Sequence, residues 1–194
     1  MRYLRLALLP LLLVACTDQE PIAPDITLAP MFNAAGNSHQ LTTTFEGPTT
    51  GFITDPLAVA ARCPEGFQWI LQSAGSGEMV SPGYAGQFTL TTEHCSRWVT
   101  GPPDRATGKV VGRIGRGLMT MTTPVGDLTM AYDGTFVFEG DLSISAWVSK
   151  VNSSYAIVGG TGVFAGASGH GHIAITDQSG YGSGHHEGSL VYHD

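Results

Sequence analysis

The sequence predicts an all-β protein, an antiparallel barrel of about eight strands. Three observations carry that prediction. Apolar or aromatic residues alternate with Thr, Ser and Gln over short runs, the period of two that a half-buried strand requires. Pairs and triplets of Gly, Pro, Asp and Ser that favour turns fall between most of the runs. No stretch holds the 3.6-residue period through three turns of amphipathic helix.

The strands follow in order. Thr42-Thr43-Thr44-Phe45 opens the series, and Phe67 to Gln72, Gln87 to Thr91, Gly117 to Thr122 and Leu128 to Tyr132 continue it. Leu142 to Val148, His172 to Thr176 and Ser189 to Tyr192 complete it. Turns are expected at Pro82-Gly83, Gly101-Pro102-Pro103, Pro124 to Asp127, Asp133-Gly134 and Ser179-Gly180. Short connections between neighbouring runs describe a meander, and closing it into a barrel leaves no exposed edge. One face of each strand, carrying residues such as Trp69, Leu71, Leu118, Met130, Tyr132 and Phe136, is expected inside.

Residues 37–194 form the barrel domain in this reading, and what precedes them is of another kind. Arg2 and Arg5 are followed by an uncharged, leucine-rich stretch from Leu6 to Ala15. A spanning helix needs about 20 apolar residues, so 1–15 reads as a processed signal and not as an anchor. Leu13-Val14-Ala15-Cys16 resembles the lipobox of bacterial lipoproteins, which implies that Cys16 receives diacylglycerol and becomes the new amino terminus. Residues 16–36, with three prolines and no sustained period, read as an extended linker behind that anchor. The expected address is the cell envelope, with the chain tied to the membrane through Cys16. Thr17 does not resemble the inner-membrane retention signal, which favours the outer membrane, on its periplasmic or surface face.

Export decides how the other cysteines are read. An oxidising compartment and an even pair left after Cys16 predict a disulfide between Cys63 and Cys95, and the absence of CxxC speaks against redox catalysis. Loss of Arg2 and Arg5 leaves 7 basic residues against 16 acidic ones, a net charge of −9. Only Arg105, Lys109, Arg113 and Arg116 lie close together, so no phosphate-neutralising surface and no nucleic-acid partner is expected.

Candidate chemistry is sparse. Gly159-Gly160-Thr161-Gly162 lacks the lysine of a phosphate loop and reads as a tight turn, and no G-x-S-x-G elbow is present. His170, His172, His185 and His186 crowd the last strand pair beside Glu187. His170 and His172 share a face, and a hairpin at Ser179-Gly180 brings His186 or Glu187 alongside, but no spacing is diagnostic of a metal site. Asp177 and the other acids beside Gly, Pro or turn residues read as solvated carboxylates. Glu93 and His94, ending a strand beside Cys95, are the pair to watch at a barrel mouth, although adjacent strand residues face opposite ways.

Tyr155 to Gly169, YAIVGGTGVFAGASG, resembles the signature of the allene oxide cyclase and dirigent barrel superfamily. Gly126-Asp127-Leu128 through Asp133-Gly134-Thr135-Phe136 is similar to a strand pair of bacterial lipoproteins with this barrel. The resemblance implies a calycin-like antiparallel barrel with an apolar interior, in which Phe164 plugs the core between glycines that permit bends. No position here matches the catalytic residues of the cyclases. The expectation is therefore a membrane-tethered, non-catalytic barrel that binds a small apolar ligand or serves an envelope role, with no cofactor, no metal and no catalytic residue assigned. The alternatives are a cyclase- or isomerase-like enzyme acting in the barrel mouth and a histidine-based metal-binding envelope protein.

Overall fold

The computed structural model describes residues 38–99, 109–141 and 146–191. The signal segment, Cys16, the linker, the Gly101-Pro102-Pro103 turn and Arg105 lie outside the described residues. Eight strands follow one another: β1 (Ser38–Ile53), β2 (Trp69–Ser81), β3 (Tyr84–Trp98), β4 (Lys109–Thr123), β5 (Gly126–Asp141), β6 (Ala146–Gly160), β7 (Ser168–Gln178) and β8 (Tyr181–Val191). Each pairs antiparallel with its sequence neighbours, and β8 pairs back onto β1 to close the barrel. The expected antiparallel eight-strand barrel is the observed one. The eight alternating runs fall on these strands in order, so far as they lie within the described residues.

Two expectations are corrected. Asp133-Gly134 is not a turn but the middle of β5, where Gly134 faces Ile114 of β4 and Ser153 of β6. A Cβ at Gly134 would sit 2.3 Å from the carbonyl oxygen of Asn152, so the glycine serves close packing between strands. Leu118 does not point inward; it is 48% exposed on the outer wall. β4 carries one extra residue relative to both neighbours at Gly115-Arg116, and this bulge shifts its inward phase from Val110, Gly112 and Ile114 to Gly117, Met119 and Met121.

The interior is unequal along the barrel axis. Leu41, Met79, Phe88, Met121, Leu128, Ile157, Phe164 and Leu190 fill the end that carries the Pro82-Gly83 and Pro124-Val125 turns, and all are buried. Phe164 sits on a 3-10 turn, Gly162–Phe164, and closes this end. The opposite end, with the Ser179-Gly180 turn, is not filled.

Among the described residues one short α-helix lies on the outside. Helix α1 (Pro56–Arg62) starts where the Asp55 carboxylate accepts the Ala58 amide at 2.8 Å, with Pro56 in the first turn where its missing N–H costs nothing. Its Val59 and the following Cys63 pack over Ile70 and Cys95 on the outer wall. Cys63 and Cys95 are disulfide-bonded across a separation of 32 residues, as the cysteine count predicts. Closing a loop of that length stabilises the fold by about 3–4 kcal/mol in the chain-entropy description.

Candidate functional site

The unfilled end of the barrel is a cavity of about 450 Å³, within the roughly 300–1,000 Å³ range of small-molecule sites. A band of aromatic rings lines much of its wall. Phe52 of β1 lies 5.9 Å from Trp69 of β2, Trp69 lies 4.9 Å from Trp98 of β3, and Trp98 lies 5.7 Å from Phe138 of β5. Phe138 in turn lies 5.4 Å from Trp147 of β6. Phe136 packs edge-on to Trp98 and deepens the band. All three tryptophans of the chain therefore face one space. β7 and β8 interrupt the band with Ile175, Asp177, Gly180 and Gly182.

A hydrogen-bonded pair sits in the cavity wall below the aromatic band. His94 follows Phe88, Leu90 and Thr92 on the inward face of β3, and its Nδ1 lies 2.7 Å from the Tyr132 hydroxyl of β5. Tyr132 reaches across because its partner on β4 is Gly117, where a Cβ would come within 2.6 Å of the phenol ring. Thr92 hydrogen-bonds the same phenol. The Tyr132 hydroxyl can donate to Nδ1 or accept from it, according to the imidazole tautomer. Burial pushes His94 down to about 4, outweighing the attraction of Glu93, so the ring is neutral at physiological pH. Burial also raises Tyr132 well above the usual phenol range.

Asp177 overturns its reading as a solvated turn carboxylate. It shares the inward phase of Ile173 and Ile175, and it lines the cavity. Its Oδ1 accepts the Gly180 amide at 2.9 Å, and Thr49 hydrogen-bonds the same carboxylate. Burial raises its pKa, and the two hydrogen bonds only partly offset that.

No protein-family model, no curated protein and no solved structure matches this chain.

The remaining candidates fall elsewhere. Glu93 and His94 face opposite sides of β3: the carboxylate lies outside, ion-paired with Arg62 and accepting Gln72 Nε2 at 2.7 Å. They do not form an acid–base pair. His172 and Glu187 are paired across β7 and β8 on the exposed outer face, and His170 and His185 are exposed there too. His186 turns the other way and is fully buried. Among the described residues no three His, Cys, Asp or Glu come together in a group able to hold a metal ion. Lys109, Arg113 and Arg116 are exposed along β4; Lys109 pairs with Glu139 at 2.9 Å, and Arg116 donates to the Arg62 carbonyl at 3.2 Å.

Period-two reading misses Phe52, Trp98, Phe138 and Asp177 as cavity residues. For Trp98 and Asp177 the signal is present: each continues the inward phase of a strand already recognised, from Phe88 and from Ile173.

Proposed function

We propose that this chain is a lipid-anchored envelope protein of the allene oxide cyclase and dirigent barrel type, whose open end binds one small, mostly apolar molecule. The observation that carries the reading is the aromatic cavity above a packed floor. An eight-stranded barrel has room either for side chains or for one small ligand, and here the two halves divide those roles. The lipobox supports the anchor. Cys16→Ala is expected to move the protein from the membrane to the soluble fraction of the producing cell; wild-type membrane association without an acyl mass on Cys16 would remove the anchor from the proposal.

Trp69, Trp98 and Trp147 make the cavity self-reporting. Titrating the purified chain with neutral N-phenyl-1-naphthylamine is expected to quench tryptophan emission saturably, at one equivalent, with micromolar affinity. Non-saturable quenching, or none, would show that the cavity takes no such ligand.

The second reading, a cyclase- or isomerase-like enzyme in the barrel mouth, is favoured by one observation, the His94–Tyr132 pair in the cavity wall. A neutral imidazole hydrogen-bonded to a phenol can pass a proton to or from a bound molecule. His94→Gln separates the two readings: a binder keeps its affinity, whereas an enzyme keeps its ligand and loses turnover.

A further inference from the structure

The charges around the cavity are one-sided. Among the described residues no lysine or arginine lines it, and its one histidine, His94, is held neutral by burial. Asp177 is the only carboxylate among the described residues that line it. Its two hydrogen-bond partners, the Gly180 amide and Thr49, are uncharged, so the carboxylate has no counter-charge among the described residues. A carboxylate accepts about four hydrogen bonds, which leaves acceptor capacity beyond these two. Gly182, directly opposite Asp177 on β8, adds no side chain to cover it. On either side of this break the wall is aromatic, and the faces of Trp and Phe rings attract cations.

An anionic ligand would meet repulsion from Asp177 and, among the described residues, no compensating positive charge. A neutral ligand would leave a partly buried carboxylate with its desolvation uncompensated. A cation meets both the missing counter-charge and the ring faces. The net charge of −9 after loss of the signal also draws cations toward the molecule. Granted that the cavity binds a small molecule as proposed above, we infer that its ligand is an organic cation, an amine or quaternary ammonium on an apolar body, with Asp177 as counter-ion. Burial raises the Asp177 pKa in the empty site, and a bound cation acts in the opposite direction, favouring the carboxylate.

Three probes of one shape test this by calorimetry on the full chain at neutral pH: naphthalen-2-ylmethanamine, naphthalen-2-ylmethanol and 2-naphthoate. The amine is expected to bind about tenfold tighter than the alcohol, and the acid about tenfold weaker than the alcohol, because the first adds a charge-assisted hydrogen bond to Asp177 and the second sets like charges against each other. In Asp177→Asn, whose amide oxygen still accepts the Gly180 N–H, the amine advantage is expected to disappear, so that amine and alcohol bind alike. The wild-type series decides the matter even if that variant fails to fold. Equal affinity for amine and alcohol, or preference for the acid, overturns the cation inference and leaves the small-molecule reading standing. Failure of all three probes to bind overturns both.

Discussion

Between pH 6.5 and 4.5 the barrel is expected to lose about 4–5 kcal/mol of stability, because burial holds two of its histidines neutral in the folded state over that range. His186 is fully buried on the inner face of β8, stacked on Phe45 at 4.7 Å and hydrogen-bonded through Nδ1 to Thr43. Its Nε2, the Tyr155 hydroxyl and Ser153 Oγ find no hydrogen-bond partner among the described residues. Burial, with a smaller contribution from His185, pushes His186 down to about 3, and burial takes His94 to about 4. In the unfolded chain both titrate near 6.5, so as the pH falls through that value only the unfolded state takes up the two protons. Each histidine then costs about 1.4 kcal/mol per pH unit until its folded pKa is reached. The lower end of the range allows for residual solvent at His94. Of the acids, Glu93 is depressed and Asp177 raised from their ordinary values, so their contributions to the pH dependence are opposite in sign. Urea denaturation at pH 7, 6, 5 and 4.5 checks this, and His186→Gln should remove about half of the slope. A stability unchanged between pH 7 and pH 5 would show that these two imidazoles are not buried as described.

Why the fold is legible in the sequence and the site only half so follows from what period two encodes. Alternation reports which residues share a face, and turn residues report where the chain reverses; together they order eight strands without any knowledge of the interior. The same alternation places His94 inside, in phase with Leu90, and Asp177 inside, in phase with Ile175. Asp177 nevertheless reads as solvated because its neighbours, Gln178 and Ser179-Gly180, announce a turn, and turn composition says nothing about which way a residue near the strand's end faces. Leu118 misleads for the opposite reason. The Gly115-Arg116 bulge inverts the phase of β4, and Arg116 holds a φ of 49° there without being glycine, so composition does not mark the place. Helix α1 spans only Pro56–Arg62, too short to display a helical period, and its place on the barrel wall depends on Cys95, far along the chain. Whether the barrel end is filled or hollow depends on how side chains from eight strands meet, which no single run records.

That division between a packed end and a hollow end makes a second large effect predictable. Phe164 is fully buried, meets Tyr84 edge-on at 6.4 Å, and is packed so closely against β6 that a Cβ on Gly160 would come within 2.8 Å of its own Cβ. Phe164→Ala deletes a ring from the packed core at this end of the barrel, so the cost is expected in the range of about 3–5 kcal/mol. The turn itself survives, since its backbone bonds, Val163 N–H to the Val125 carbonyl and Ala165 N–H to the Gly162 carbonyl, do not involve the ring. The lost energy therefore belongs to the floor of the barrel and not to its mouth. Because Phe164 is absent from the cavity wall, the affinity for a neutral probe read on tryptophan emission should stay within about twofold of wild type wherever the variant is folded. Trp98→Ala should do the reverse, costing less stability because the residue is only half-buried while removing the centre of the aromatic band. Denaturation midpoints and probe titrations on the two variants together test the division: a Phe164→Ala protein as stable as wild type, or one that loses the probe while still folded, would mean that floor and cavity are not separate parts of the barrel.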